Sequence, residues 1–139
     1  MAYEESLRSV SLLADSSIAG YTGVPGLPGS AAPNNGKQYR FVKVTGKNTV
    51  GLCTTKASDR KIGVLQNKPQ NTGMAATVAI RGISFVESGG GTTAVTAGGT
   101  VTCDSSGRAI GASGSDIVYG IALQASSTTG ELISVYLAG

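Results

Sequence analysis

The sequence predicts an all-β fold: a compact, glycine-rich β-barrel or sandwich-like body with an internal pseudo-repeat, preceded by an extended N-terminal arm that opens on a short helix. Three observations predict it. From Lys37 onward, short runs of Val, Ile, Thr, Tyr and Phe are separated by Gly, Asn, Asp and Ser, the punctuation of short strands. The 139 residues include 21 Gly, 16 Ser and 14 Thr, and only 14% are charged. Two stretches of the chain match each other at fixed spacing. Leu, Ile, Val and Phe together number 31, enough for a modest core in one domain of this length.

The first 36 residues differ from the rest. Tyr3, Leu7, Val10 and Ala14 recur at helical spacing, and Glu4 precedes Arg8 by four residues, which predicts a helix over 3–14. Ser16, Ser17 and Gly20 end it. The following GYTGVPGLPGSAAPNNG holds three of the four prolines and five glycines, a linker composition. Residues 1–36 therefore read either as a frayed tail or as an arm that orders on a neighbouring subunit.

Residues 37–139 form the β body. YRFVKVT (39–45) turns through Gly46-Lys47-Asn48 into TVGLCTT (49–55), and KIGVLQ (61–66) leads to MAATVAIRG (74–82) and ISFV (83–86). TVTCD (100–104), RAIGA (108–112), DIVYGIALQ (116–124) and ELISVYLAG (131–139) follow. Val78 and Ile80 share one alternation phase, and Ile83 and Phe85 share the other. The switch at Arg81-Gly82 predicts a bulge or bend. The repeat pairs Ile62–Gln66 with Tyr119–Gln124, then Gly73 with Gly130 and Val78 with Val135. Its halves run over about 37–82 and 94–139, each too small to bury its own face.

Chemistry is scarce. Without histidine there is no Ser-His-Asp triad, no Cys-His dyad and no HExxH zinc site. Asp59, Glu87, Asp104, Asp116 and Glu131 are scattered, with no spacing that pairs two carboxylates. Gly36-Lys37 is not a phosphate loop, because the glycine spacing is wrong and Gln38 stands where Ser or Thr must ligate magnesium. No catalytic residue, metal or cofactor is expected. Cys53 and Cys103 read as free thiols, with one bridge between them left open. No apolar run reaches the ~18–20 residues of a membrane span, and the acidic start lacks the pattern of a signal peptide, so a soluble, unexported protein is expected.

Charge is uneven. Residues 37–68 carry Lys37, Arg40, Lys43, Lys47, Lys56, Arg60, Lys61 and Lys68 against Asp59 alone. This block reads as a surface meeting an acidic partner, or as lysines guarding a strand edge. Tyr39 and Phe41 beside Arg40 and Lys43 allow an alternative, a β-barrel that stacks the bases of single-stranded nucleic acid. With seven aromatics in the chain, strand residues packing a core are the better reading, and nucleic acid is disfavoured as a partner.

The run from Ala94 to Gly139 resembles the head decoration, or cement, proteins of tailed bacteriophages. The likeness rests on VTAG (95–98), the Asp104–Gly107 hairpin, GIAL (120–123) and the closing ISVYL (133–137), and extends more weakly over 37–139. The arm departs from the pattern of short members. The resemblance implies a non-enzymatic virion protein, made in the host cytoplasm, that binds the outer surface of an assembled capsid and stabilises it. It implies the major capsid protein as partner and a homotrimer, with no membrane involved. The residues that read as capsid or subunit interface are Tyr3, Leu7, Val10, Leu13 and Tyr21 in the arm. In the basic block they are Lys37, Arg40, Lys43, Lys47, Arg60 and Lys61.

Overall fold

A computed structural model describes residues 7–20, 37–91 and 93–137. Every regular element among them is a strand: β1 (Arg8–Ala14), β2 (Phe41–Gly46), β3 (Thr49–Leu52), β4 (Gly63–Leu65), β5 (Ala75–Glu87), β6 (Thr100–Cys103), β7 (Ala109–Gly111), β8 (Gly120–Ala122) and β9 (Leu132–Leu137). They join in one sheet of order β1-β3-β2-β4-β5-β9-β8-β6-β7. An additional β1–β5 pairing closes the first five strands on themselves as a small barrel.

The expected helix is corrected over residues 8–14, which form strand β1; its first residues lie outside the described ones. Two periods compete in this segment. Val10 and Leu12 face the core, and Ser9, Ser11 and Leu13 are exposed, an alternation of two. Serine and β-branched valine favour helix weakly, and β5 offers a long partner edge. β1 runs antiparallel to β5 and parallel to β3. Residues 8–20 are thus staves and filling of this chain's own barrel rather than an arm reaching away. Ala14, Ile18 and Ala19 are buried, and Ala14 and Ile18 pack with Val42, Val50, Leu65 and Val78 inside that barrel.

The repeat is visible as paired strands. β2 and β3 match Val42 to Leu52, Lys43 to Gly51 and Val44 to Val50. β6 and β7 match Val101 to Gly111, Thr102 to Ile110 and Cys103 to Ala109, the same register 59 residues on. β4–β5 pairs Val64 with Ala79 and Leu65 with Val78, and β8–β9 pairs Ile121 with Tyr136 and Ala122 with Val135, 57 residues on. The repeat also includes β1. Its partner is the second half of β5: Leu13 opposes Ala75 as Glu87 opposes Leu132, and Val10 opposes Val78 as Ser84 opposes Val135. Ala14 donates its N–H to Met74 at 2.9 Å and Ser88 donates to Glu131 at 2.7 Å. Ala14 bridges β3 in parallel at Val50, and Ser88 bridges β7 in parallel at Ala109.

Two five-stranded barrels therefore stand in tandem, and β5 belongs to both. Its first half closes barrel 1, and its second half opens barrel 2. The handover falls where the phase switch predicts a bend, at Gly82, whose φ of 100° lies in the region glycine tolerates best. The halves 37–82 and 94–139 omit the fifth stave of each barrel, without which β5 and β3, or β9 and β7, would be open edges.

The barrels share a core. Phe41, Val64 and Ala79 point out of barrel 1 and join Val86, Val101, Ile133 and Val135 in one buried cluster. The Phe41 N–H donates to Gly107 in the β6–β7 hairpin at 2.8 Å. Gly107 takes a φ of 74°, a conformation that favours glycine, and a Cβ there would press on the Leu52 side chain.

Candidate functional site

The sheet separates the cations of the basic block. Arg40, just before β2, forms an ion pair with Glu87 at the end of β5 at 3.1 Å and donates to the Ser106 carbonyl at 3.2 Å. It is a clamp between the barrels and not a free contact for a partner. Lys56 pairs with Asp116 at 3.2 Å across the same junction. Part of the positive charge read from the sequence is thus neutralised within the chain.

Three of the expected interface residues do converge. Lys43 on β2 and Arg60 and Lys61 in the 53–62 loop line one shallow, open cleft of about 530 Å³ on barrel 1, with Asp59 and Ile62. Asp59 shapes the loop: it accepts the N–H groups of Thr54 (2.8 Å) and Thr55 (3.0 Å) and the Lys43 ammonium (2.8 Å). The hydrogen bond to Asp59 raises the Lys43 pKa above its ordinary value. Burial pushes the Asp59 carboxyl up, but Lys43 and the two N–H donors outweigh it and hold it below the usual carboxylate range. Burial lowers Lys61. Lys47 is exposed at the β2–β3 turn and Lys37 is half-buried before β2. The cleft can attract an acidic surface.

The β1 residues divide by face. Leu7 and Leu13 are exposed, whereas Val10 is half-buried against the interior of barrel 1. Tyr3 and Tyr21 lie outside the described residues.

The aromatic platform for nucleic acid does not form. Phe41 is fully buried, edge-on to Tyr119 with ring centroids 4.9 Å apart. Tyr39 sits edge-on to Phe85 at 6.2 Å with a left-handed φ of 63°. The two cysteines are free and buried beside Tyr119, whose hydroxyl donates to the Asp59 carbonyl at 2.6 Å and lies 3.5 Å from the Cys103 sulfur. Burial pushes the Cys53 thiol up to about 12 and raises Cys103 and Tyr119 as well. These are protonated filling groups, the opposite of activated thiolates. Among the described residues, no three His, Cys, Asp or Glu side chains gather as a metal site.

An exposed apolar surface lies on barrel 2, where the sequence marked only a change of alternation phase. The sequence put Ile83 and Phe85 on the opposite alternation phase from Val78 and Ile80 without assigning them a face. The strand pairing puts Ile83, Phe85, Leu132, Tyr136 and Ile121 on the outer face of barrel 2. Phe85, Ile121, Leu123, Leu132 and Tyr136 are 40–53% exposed. The repeat held the signal: Tyr136 and Ile121 correspond to Ala79 and Val64, which barrel 2 covers, and among the described residues no third barrel packs on Tyr136 and Ile121.

No protein-family model matches the chain, and no curated protein sequence matches it. Among solved structures, the chain is similar in fold to the head fiber gp8.5 N base of bacteriophage phi29. The TM-score is 0.61 at 14% identity, over 96% of this chain and 95% of that one, so the likeness takes in both barrels.

Proposed function

We propose that this chain is a non-enzymatic structural protein of a phage virion that attaches to the outer surface of the assembled head and stabilises it, in the manner of decoration or cement proteins. The observation that carries the reading is the full-length fold likeness to a base segment of a phage head fiber. The sequence resemblance to head decoration proteins over 94–139 supports it independently. The partner is the major capsid protein, and the working form is a homotrimer. Multivalency supplies the physical logic. One 13.9 kDa chain offers a small footprint, whereas a stable contact needs at least ~1,000 Å², so several linked copies on a lattice hold where one does not. The basic cleft of Lys43, Arg60 and Lys61 supplies attraction to an acidic shell.

Cosedimentation tests the reading. The purified chain pellets with assembled heads of the phage that encodes it and does not associate with unassembled capsid protein. Equal binding to both forms, or binding to neither, contradicts it.

A further inference from the structure

We infer that the outer face of barrel 2 is the face by which copies of this chain associate, the faces of sister copies gathering around the threefold axis of the proposed homotrimer, on which the inference rests. The repeat carries the argument. In barrel 1, one row of outward side chains crosses three strands, Phe41 opposite Val64 and Val64 opposite Ala79. All three are fully buried, because barrel 2 packs on them. The same row in barrel 2 is Thr100 opposite Ile121 and Ile121 opposite Tyr136. Ile121 is 41% exposed and Tyr136 44% exposed. This barrel design therefore already uses the face to join one barrel to another within the chain, and barrel 2 presents it outward.

Size and charge select the occupant. Phe85, Leu123 and Leu132 extend the row on the same side, giving about 400 Å² of apolar surface, in the range of the largest patches on monomers. Each pair of neighbouring copies removes up to about 800 Å² through this row, and the polar surface around it, Thr100 included, supplies the remainder of the ~1,000 Å² that a stable contact needs. Among the described residues that the pairing of β5, β9 and β8 puts on this face, Glu87 alone is charged, and Arg40 holds it in an ion pair at 3.1 Å. A face without net charge meets its own copy with no like-charge repulsion, which is what a self-complementary contact requires. It has nothing to offer a strongly acidic or basic partner.

The inference goes beyond attachment to heads and is tested without them. Sedimentation equilibrium of the full chain is expected to show self-association, weakened about a hundredfold or more by Tyr136→Lys. Met74→Lys, at an equally exposed apolar site on barrel 1, is expected to leave it unchanged. Circular dichroism checks that both variants keep the β fold. Ile121→Cys gives a second readout that survives if a lysine variant misfolds. Cys53 and Cys103 are fully buried, so the new thiol alone reacts, and a short bis-maleimide is expected to yield covalent oligomers. A chain that stays monomeric at high concentration overturns the inference, as does association indifferent to Tyr136→Lys or an Ile121→Cys chain that never cross-links. A monomer whose binding to heads is lost with Tyr136→Lys also overturns it, assigning the face to the shell and leaving the proposed function standing.

Discussion

At Tyr119 a single side chain ties three parts of the molecule together. Its ring packs edge-on to Phe41 of barrel 1, its hydroxyl holds the Asp59 carbonyl, and the two thiols lie beside it. Cys53, Cys103 and Tyr119 all have pKa values raised by burial, Cys53 from 9.0 to about 12. The folded chain thus holds these protons more tightly than the unfolded one. Their contribution to stability is complete below the unfolded thiol pKa near 9 and is lost as pH climbs toward 12. Lys61, lowered by burial, works in the opposite direction in the same window. The three buried acids prevail, so unfolding by urea followed at rising pH is expected to show stability falling between about pH 9 and 12, and less steeply in Cys53→Ala. Thr102 offers a second residue-scale prediction. Its hydroxyl is buried with no hydrogen-bond partner, so Thr102→Val is expected to raise stability by about 1 kcal/mol in the same assay. Neither effect is visible in the sequence, because burial of a cysteine or a threonine depends on what packs over it from residues far along the chain.

Among the elements, β5 decides the architecture. It is 13 residues long and serves both barrels, with Gly82 at the handover. The strands from Phe41 to Leu137 were legible as alternating runs between turn residues, and the change of phase at Arg81-Gly82 pointed to an irregularity that the structure shows as a skipped Ile80 in the β1–β5 register and a left-handed φ at Gly82. β1 was not, because Leu7, Val10 and Ala14 fit a helical spacing, and the alternative became favourable only once an edge of β5 lay beside it. The basic cleft was half legible: Lys43, Arg60 and Lys61 meet there, but Arg40 does not, since Glu87 is 47 positions away and sequence spacing cannot bring them together. Two element-scale predictions follow from the tandem repeat. A Cβ on Gly63 would run into the Ala79 carbonyl oxygen, and one on Gly120 into the Tyr136 carbonyl oxygen, the corresponding atom of barrel 2. Gly63→Ala and Gly120→Ala are each expected to cost about 3 kcal/mol, by similar amounts, in thermal unfolding. A harmless change at either glycine breaks the correspondence. Deleting residues 1–20 removes Val10, Leu12, Ala14 and Ile18 from the interior of barrel 1. That loss is roughly 5 kcal/mol of burial, comparable with the whole stability of a small domain, so the truncated chain is expected to lose cooperative unfolding. A truncated chain with an intact transition would show that β1 is dispensable.

As a whole, the molecule is a pair of barrels joined by a shared strand, a buried aromatic contact and three bridging groups, Arg40, Lys56 and Tyr119. Such a body transmits load well. The barrels share one continuous hydrophobic cluster, so they cannot hinge apart without exposing it. Its two candidate contact faces differ in chemistry: a basic cleft on barrel 1 and an uncharged apolar face on barrel 2. That division suits a protein that holds its own copies by one face and an acidic lattice by another. The most direct measurement is a cryo-electron microscopy map of virions of the phage that encodes this chain. The account predicts two-barrel density on the outside of the head, repeated in register with the shell. Intact virions that lack the chain, or carry it only inside the head or in the tail, would contradict it.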